Sequence, residues 1–259
     1  MERRSREFRI TKQEPDEELE TSDHLAVEEP LQVVIDGRAL AVLMRTPGDD
    51  EFLVMGFLKT EGIIKKPAEI SRIDLEAREN HAFVFLSDGC EVEWERMTRH
   101  LFAASSCGLC GKATIDAILQ DHDEIKNELK LEKQILLGAP DTMRAAQRTF
   151  DSTGGLHASG LFDTHGTLLM LKEDIGRHNA LDKVIGLASQ QEVDFSQTFL
   201  LLSGRISFEL MQKSLAAGIP LVAGISAPSS LAVEFAQDSG QTLIGFLRPP
   251  TFNLYAGNF

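Results

Sequence analysis

The second half of the sequence alternates short apolar runs with helix-like patterns, and this alternation restricts the fold more than any other feature. Apolar runs occupy residues 167–171, 198–202, 220–225 and 242–246. Helical patterns lie between them, near residues 178–189, 206–217 and 229–238. Strands that alternate with helices are typical of βα units, in which helices cover both faces of a parallel or mixed sheet. We therefore predict an α/β domain here.

The first half predicts a smaller unit. Apolar runs on either side of Asp36-Gly37 predict a β-hairpin over residues 31–44, because this dipeptide supplies the positive φ angles of a tight turn. Thr46-Pro47 offers an N-cap and a proline at the first position of a helix that would run through Lys59. A second hairpin is predicted over residues 70–86.

These patterns divide the chain into three parts, and the predicted fold class is α/β (α+β overall). Residues 1–29 are expected to be a disordered acidic tail, because residues 14–29 hold eight acidic residues and no basic one. Residues 30–135 form a β-rich α+β unit that carries a cysteine loop at residues 105–111. Residues 136–259 form the C-terminal α/β domain.

The charge and the composition of the sequence limit the partners and the compartment that we expect for the protein. The chain has 26 Lys and Arg against 40 Asp and Glu, a net charge of -14, so we expect no nucleic-acid partner. Residues 214–233 are uncharged over the length of a membrane span, but Pro220 and Pro228 interrupt them, so we expect no span. Three cysteines and no secretory signal predict a cytoplasmic protein.

The sharpest local signal is the pair Cys107 and Cys110, which lies among glycines and serines. Two thiols at this spacing can approach closely, and the small neighbours leave them open to a second macromolecule. A helix predicted to start near Lys112 would favour a thiolate, the nucleophilic form of cysteine. A thiolate can attack a sulfur donor, hold a persulfide and pass the sulfur on, and the other cysteine can release that sulfur or protect it through a disulfide.

Three other interpretations of this pair stay open. A structural zinc site needs about four ligands, and Cys90, His100 or His122 could contribute. A thioredoxin-like redox pair is the second, although a β-rich unit is not its usual context. Inert packing cysteines are the third. The His-x-Glu and Pro-Cys-x-x-Cys set of a zinc deaminase is absent from the sequence, so that activity is not expected.

Cations in the C-terminal domain are few and lie close to glycines. Residues 151–259 contain only six, and we expect four of them, Arg177, Arg205, Lys213 and Arg248, to converge in an anion pocket. In open α/β sheets, ligands bind beyond the carboxyl ends of the strands. Glycines there let backbone N–H groups approach a phosphate, which arginine binds through two hydrogen bonds. The alternative for each Gly-Arg is an ordinary helix cap.

Two histidines are further candidates. His157 ends a glycine-hinged turn that begins at Thr153, and its alternative role is that of a hydrogen-bonded structural histidine. His178 lies four residues before Asp182 on one helix face, where a simple side-chain pair is the alternative.

Six strings, taken together, closely resemble the FdhD family of formate dehydrogenase accessory sulfurtransferases. The strings are Ser105 to Gly111, Gly154 to His157, Glu173 to Lys183, Gly204-Arg205 with Glu209 and Lys213, Ser226 to Ser229, and Leu243 to Arg248. Their order and spacing make the resemblance specific. It covers roughly residues 30–259 and leaves the acidic tail outside.

The resemblance implies a function. Family members relay sulfur from a cysteine desulfurase to the molybdenum cofactor before it enters formate dehydrogenase. Cys107 matches the persulfide carrier and Cys110 its partner. The C-terminal domain would have a three-layer α/β/α fold that is cytidine-deaminase-like but lacks the zinc signature. Members are cytoplasmic homodimers.

The resemblance also implies a cofactor segment. Residues 246–251 match the stretch assigned to molybdenum bis(pyranopterin guanine dinucleotide), which is bound as a substrate and for which GDP is a convenient surrogate. Pro249 and Pro250 lack backbone N–H donors, so other groups must hold the phosphates. No protein-bound metal site is expected. The candidate cofactor-binding residues are His157, Arg177, His178, Lys183, Arg205, Lys213, Ser226, Phe246, Leu247, Arg248, Pro249, Pro250 and Thr251.

Two functions therefore compete. The first is a sulfurtransferase that moves sulfur through a persulfide on Cys107. The second is a non-catalytic chaperone that binds the guanine-dinucleotide cofactor or GDP and uses its cysteines only to dock a partner. Transferable sulfur on Cys107 would separate the two.

Overall fold

The computed structural model describes residues 4–90, 92, 94 and 124–258. Two antiparallel strands, β1 (Ser5–Gln13) and β2 (Glu18–Ala26), form what we call the N-terminal ribbon. A four-stranded sheet follows, ordered β4-β3-β6-β5. It consists of β3 (Glu29–Ile35), β4 (Arg38–Arg45), β5 (Ile70–Asp74) and β6 (His81–Leu86). Helix α1 (Asp50–Thr60) packs on one face of this sheet around Leu31, Val33, Leu53 and Val84.

Both predicted hairpins are confirmed. Asp36 and Gly37 have φ angles of 46° and 83°, as a tight turn between β3 and β4 requires. The predicted start of α1 is wrong, because the helix begins at Asp50 after an Asp49 N-cap. Thr46 instead connects the two halves of the chain. Its N–H donates a hydrogen bond to the Asp174 carboxylate, and its hydroxyl accepts one from the N–H of Ile175.

The expectation of a disordered tail is wrong for residues 5–26. The acidic composition hid an alternation of apolar side chains, Phe8 and Ile10 on β1 with Leu19 and Leu25 on β2. In the observed register these four share one face, and carboxylates gather at the turn. The pairing of these two strands therefore orders a segment whose acidic composition predicts disorder.

The C-terminal half is a mixed sheet of six strands, ordered β12-β11-β10-β9-β7-β8. The strands are β7 (His157–Asp163), β8 (Leu168–Asp174), β9 (Thr198–Leu202), β10 (Leu221–Gly224), β11 (Thr242–Arg248) and β12 (Thr251–Ala256). The helices are α2 (Lys133–Ala146), α3 (Arg148–Thr153), α4 (Arg177–Gln190), α5 (Phe208–Ala217) and α6 (Ser230–Ser239).

Helices cover both faces of this sheet. On one face α2 packs through Leu136 and Met143 against Phe162 and Phe199. On the other, α4, α5 and α6 enclose a second core that contains Leu161 and Leu200. Neighbouring strand residues thus alternate between two cores, as expected for a sheet that is buried on both sides. The predicted α/β class is confirmed, and the likeness to cytidine deaminase stays a prediction.

The strands and helices predicted after residue 156 are all present, but two strands escaped the sequence pattern. β7 begins with small and polar residues, His157-Ala-Ser-Gly, and β12 is a largely exposed edge strand, so neither gives a long apolar run. Within the described residues, no helix combines the length and the apolar character that a membrane span requires. Residues 214–233 are divided among α5, β10 and α6.

The C-terminal unit starts earlier than the predicted boundary at residue 136. The Asn127 amide donates to the Pro220 carbonyl at 3.1 Å and to the Thr242 hydroxyl at 2.8 Å. Leu129 and Leu131 pack against the core under α2. Residues 124–132 contain no helix.

The two units dock through a crossing of α1 and α4 at two glycines. A Cβ on Gly56 of α1 would lie 1.8 Å from the carbonyl oxygen of Asp182, and a Cβ on Gly186 of α4 would lie 2.0 Å from that of Phe52. Only glycine permits backbones to approach so closely. The crossing therefore sets how the N-terminal sheet sits on the C-terminal domain.

Two buried lysines reinforce this docking. Lys183 donates to the Thr46 carbonyl at 2.8 Å and to Asp174 at 2.7 Å. Lys213 bonds Asp182 at 2.9 Å, and its ammonium also reaches Thr60 and Glu61 at the end of α1. Burial alone would lower the pKa of Lys213, but the carboxylates of Asp182 and Glu61 outweigh it and raise that pKa above its ordinary value.

We predict that Gly186→Ala will strongly destabilise the protein. The added methyl group meets a backbone carbonyl that cannot move without shifting α1, so we expect a loss of about 3 kcal/mol, in the range of overpacked cores. Urea unfolding measures it. Gly138→Ala is the matched control, because this helical glycine has open space around it and should gain up to about 1 kcal/mol from better helix propensity. Equal stability of the two variants would contradict the close crossing.

Candidate functional site

One edge of the six-stranded sheet collects most of the segments that the sequence singled out. Strands β8, β9, β10 and β11 point the same way, so their carboxyl ends lie at this edge, and the antiparallel strand β7 begins there with His157. Helices α4, α5 and α6 all start from the same edge. In α/β sheets this is the side on which ligands bind. We call it the strand-end site.

The loops of the strand-end site are tied together by their main chains. Ile206, after β9, pairs with Pro228, after β10. The Ser229 N–H donates to the Ile206 carbonyl at 2.9 Å, and the Phe246 N–H donates to the Ser226 carbonyl at 3.1 Å. The ends of three strands therefore form one continuous surface.

His157 lies in a cationic corner of this surface. Burial lowers the pKa of His157 below its ordinary value, and the positive charges of Arg177 and Arg205 lower it further. Gly204 allows the close approach, because a Cβ there would lie 3.1 Å from the His157 Nδ1 atom. The imidazole is thus neutral near pH 7, and the cations around it create a place for an anion.

Unsatisfied polar atoms also point to a ligand. Among the described residues, three buried side-chain atoms have no hydrogen-bond partner: Ser159 Oγ, Arg177 Nε and Glu209 Oε1. Ser159 is two residues from His157 and so on the same face of β7. Arg177 and Glu209 lie in the first turns of α4 and α5, which start at the strand-end site. Since buried polar groups are nearly always bonded, a ligand with both a donor and an acceptor fits them.

The helix starts support the same conclusion. Neither α4 nor α5 has a side-chain cap at its N-terminus, whereas the Ser229 hydroxyl caps α6. The Oε2 atom of Glu209 lies 3.0 Å from His178 Nε2, and the Ser207 hydroxyl lies 3.4 Å from the same nitrogen. One oxygen of Glu209 is therefore held by a histidine, which leaves the other free to accept a hydrogen bond.

The predicted cofactor segment, residues 246–251, turns from β11 into β12. Phe246 is exposed with a φ of 49°, and Arg248 is exposed with its Nε donating to the Ile225 carbonyl at 3.1 Å. Leu247 is fully buried in the core under α2, so its side chain is not available to a ligand, contrary to prediction. Pro249, Pro250 and Thr251 are exposed at the turn.

Two predicted site residues do not join this surface. Lys183 is 1% exposed and occupied by Asp174 and the Thr46 carbonyl. Lys213 is bound by Asp182 and lies beside the end of α1. Both lysines were predicted to bind the cofactor because of the motifs in which they stand. In the structure, each side chain points instead into the contact between the two units. The expected convergence of four cations is thus wrong for Lys213.

The cysteine pair cannot be placed on this site. Cys107 and Cys110, with the whole loop at residues 105–111, lie outside the described residues. Cys90 is described and is a partly exposed free cysteine.

Sequence reasoning missed three polar residues of the strand-end site. Ser159 could have been found from the period of two on β7, which places it beside His157. Glu209 belongs to the motif that also contains Arg205 and Lys213. It lies in the first turn of a helix, where acidic residues are common because they stabilise the helix dipole. Ser207 gives no signal in the sequence.

We predict that an anion at this site will raise the pKa of His157. A bound dianion offsets the charges of Arg177 and Arg205, so the imidazole should titrate closer to its ordinary value when inorganic pyrophosphate is added. An NMR titration of the histidine side chains measures this shift, and His165, which is exposed in a turn, is the control. An unchanged His157 titration at saturating pyrophosphate would contradict an anion site here.

Without a ligand, the lowered pKa of His157 also makes stability depend on pH. The unfolded chain takes up a proton at this residue more readily than the native protein does. His157 therefore contributes stability above about pH 6.5, the ordinary histidine value, and this contribution is lost as the pH falls through the lowered value.

Comparisons with known proteins agree with this architecture. The chain is 46% identical over 247 residues to the sulfur carrier protein FdhD of Streptomyces avermitilis, covering 91% of this chain and 88% of that protein. It is 40% identical over 251 residues to the protein of the same name from Sulfolobus acidocaldarius, covering 96% of each.

A solved structure shares the fold. It is the crystal structure of a protein from Desulfotalea psychrophila described as a formate dehydrogenase accessory protein, with a TM-score of 0.78 and 24% identity over 98% of this chain and 97% of that one. A model of the FdhD/NarQ family matches residues 26–259, which include the whole strand-end site. This protein therefore belongs to the FdhD/NarQ family.

Proposed function

We propose that this protein is a sulfur carrier that receives sulfur from a cysteine desulfurase as a persulfide on Cys107. It then transfers the sulfur to the molybdenum bis(pyranopterin guanine dinucleotide) cofactor that formate dehydrogenase uses. The relatives named as sulfur carrier proteins support the carrier role. The observation that carries the proposal is the strand-end site, where cations, uncapped helix starts and unsatisfied polar atoms occur together.

The strand-end site suits a nucleotide better than a simple anion. Arg177 and Arg205 attract phosphate, but the free oxygen of Glu209 would repel it. A ligand that binds here must therefore also bring an N–H or O–H group to this carboxylate. A guanine dinucleotide carries phosphates, hydroxyl groups and ring N–H groups together, so its chemistry matches both halves of the site.

The sulfur chemistry belongs to the two cysteines. A desulfurase transfers a sulfur atom to the Cys107 thiolate and so forms a persulfide. Attack of the Cys110 thiolate on the Cys107 sulfur then breaks the S–S bond of the persulfide. This step releases sulfide and leaves a Cys107–Cys110 disulfide that a cellular thiol must reduce. Alternatively, the cofactor in its reduced form takes the terminal sulfur directly: the persulfide S–S bond breaks, Cys107 leaves as its thiolate, and the cofactor supplies the two electrons that reduce the transferred sulfur to sulfide.

A binding function alone is the second candidate, because every described feature of the strand-end site concerns binding. In that case the protein carries the cofactor to formate dehydrogenase and its cysteines only dock a partner. A cytoplasmic homodimer is part of both proposals.

The first prediction of this proposal is a persulfide on Cys107. After incubation with a cysteine desulfurase and cysteine, intact-mass analysis should show a gain of about 32 Da, one sulfur atom on a thiolate-type cysteine, that a reductant removes. Cys107→Ala should not gain this mass at that site. Cys90→Ala is the matched control and should gain it as the native chain does. Full formate dehydrogenase activity in cells that carry Cys107→Ala would contradict the relay.

The second prediction concerns nucleotide binding. Arg177→Gln and Arg205→Gln should each weaken the binding of GDP by about 10–150-fold, the loss expected for a charge-assisted hydrogen bond. Calorimetric titration measures the affinity. Arg72→Gln is the control, because that arginine is exposed on the N-terminal sheet. If both site variants bind GDP as the native chain does, these arginines are ordinary helix caps and the cofactor binds elsewhere.

A further inference from the structure

The link between strand β8 and helix α4 decides where one arginine of the strand-end site lies. β8 ends at Asp174 and α4 begins at Arg177, so only Ile175 and Gly176 lie between them. We call these two residues the β8–α4 link. Arg177 opens the helix without a side-chain cap, and its buried Nε atom has no partner among the described residues. A shift of the link therefore moves this unpaired donor.

The Asp174 carboxylate anchors the link from the C-terminal side and is fully buried. Its Oδ1 atom accepts hydrogen bonds from the Gly176 N–H at 2.8 Å and from the Asn179 side chain at 3.0 Å. Its Oδ2 atom accepts from the Lys183 ammonium at 2.7 Å and from the Thr46 N–H at 3.1 Å. Because both oxygens hold donors, the carboxylate cannot turn, and it keeps Gly176 in one place.

The N-terminal unit holds the same link through Thr46, which is fully buried just after strand β4. Besides the bond from its N–H, its hydroxyl accepts a hydrogen bond from the Ile175 N–H at 3.2 Å, and its carbonyl accepts one from Lys183 at 2.8 Å. The Asn179 amide adds a bond of 2.7 Å to the Met44 carbonyl at the end of β4. The start of α4 is therefore bound to both units.

The Thr46 hydroxyl is the part of this contact that acts on the link itself. Without it, the buried N–H of Ile175 would lose its partner. A buried N–H without a partner is costly, so the link would shift until another acceptor is found. A misplacement of about 1 Å at a binding group can reduce function by about a hundredfold. The position of Arg177 is thus sensitive to one hydroxyl of the other unit.

We propose that Thr46 is a positioning residue of the strand-end site, whose hydroxyl fixes the β8–α4 link and so holds Arg177 in place before the ligand binds. This proposal rests on the proposed function for the identity of the ligand, a guanine nucleotide. An arginine that is already in place costs less entropy to order when the ligand arrives. The N-terminal unit therefore takes part in binding through the start of α4.

A second buried threonine of the same inter-unit contact provides a matched control. The Thr60 hydroxyl, at the end of α1, donates to Asp182 at 2.8 Å and accepts from Lys213 at 2.8 Å. Asp182 lies more than one helical turn beyond Arg177, so these bonds do not hold the β8–α4 link. Thr46→Val and Thr60→Val each remove one buried hydroxyl from the contact between the units, and only the first removes it from the link.

The first measurement needs no ligand. The positive charge of Arg177 lowers the pKa of His157, and Arg205, His178 and Asp174 are the other ionisable groups that act on it. If Thr46→Val loosens the start of α4, Arg177 moves away and the pKa of His157 rises toward its ordinary value. An NMR titration of the histidines should show this rise for Thr46→Val. Thr60→Val and Thr46→Ser, which keeps the hydroxyl, should titrate as the native chain does.

The second measurement is the affinity for GDP by calorimetric titration. Thr46→Val should bind GDP about tenfold more weakly, because the arginine must be repositioned on binding. Thr46→Ser and Thr60→Val should bind it as the native chain does. Both valine variants should unfold at lower urea concentrations than the native chain, since each leaves a buried polar group without its partner. A loss of stability alone would therefore affect GDP binding equally in both.

A double variant tests whether Thr46 acts through Arg177. If it does, adding Thr46→Val to Arg177→Gln should weaken GDP binding no further than Arg177→Gln alone, because the two changes remove one interaction. A further tenfold loss in the double variant would show that Thr46 acts through another group and would contradict the assignment.

Two results would overturn the proposal outright. One is a Thr46→Val chain whose His157 titration matches that of the native chain, and the other is a Thr60→Val chain that loses as much GDP affinity as Thr46→Val. A native chain that does not bind GDP would contradict the proposed function instead, and the ligand-free titration of His157 would still decide the role of Thr46. If Thr46→Val does not fold, Thr46→Ala and Thr60→Ala replace the valine pair, with the same order of effects expected.

Discussion

The structure depends on the place where α1 crosses α4. Gly56 and Gly186 bring the two backbones into contact, and this contact positions the ends of both helices. The start of α4 carries Arg177 and His178, so the crossing also determines where these two side chains of the strand-end site are held. Lys183 and Asp174 tie that helix start to Thr46 of the N-terminal unit. The N-terminal sheet thus acts on the site through one helix.

The site itself is a consequence of strand direction. Four strands that end at one edge bring their following loops together, and the sequence places glycines and arginines in those loops. The same edge receives the starts of three helices, two of which lack side-chain caps. Backbone dipoles and side-chain charges then act in the same direction and favour a negatively charged group. Glu209 is the exception, and its free oxygen gives the site a requirement that a phosphate alone does not meet.

The fold could be predicted from the sequence where periodicity is strong, and the site only in part. Apolar runs located β8 to β11, and the Asp-Gly pair located the first hairpin, because both signals arise from local physics. The lysines show the limit of that reasoning. Lys183 and Lys213 stand in the same motifs as Arg177 and Arg205. Their ammonium groups, however, form hydrogen bonds with partners that lie 9 to 153 residues away in the sequence. Charge and spacing could not reveal this, since the burial of a cation depends on a tertiary partner. For the N-terminal ribbon, composition was misleading because the eight carboxylates of residues 14–29 obscured Leu19 and Leu25, which share a face with Phe8 and Ile10.

The buried lysines have a consequence for how the molecule can move. Separating the two units would leave the Lys183 ammonium without the Thr46 carbonyl and would take Thr60 and Glu61 away from Lys213. Each loss leaves a charged group without its partner in a buried region. Separation of the two units would therefore cost free energy. The buried lysines therefore oppose hinged opening between the units. We expect access to the strand-end site through the surface loops around it, and we expect the two units to unfold together.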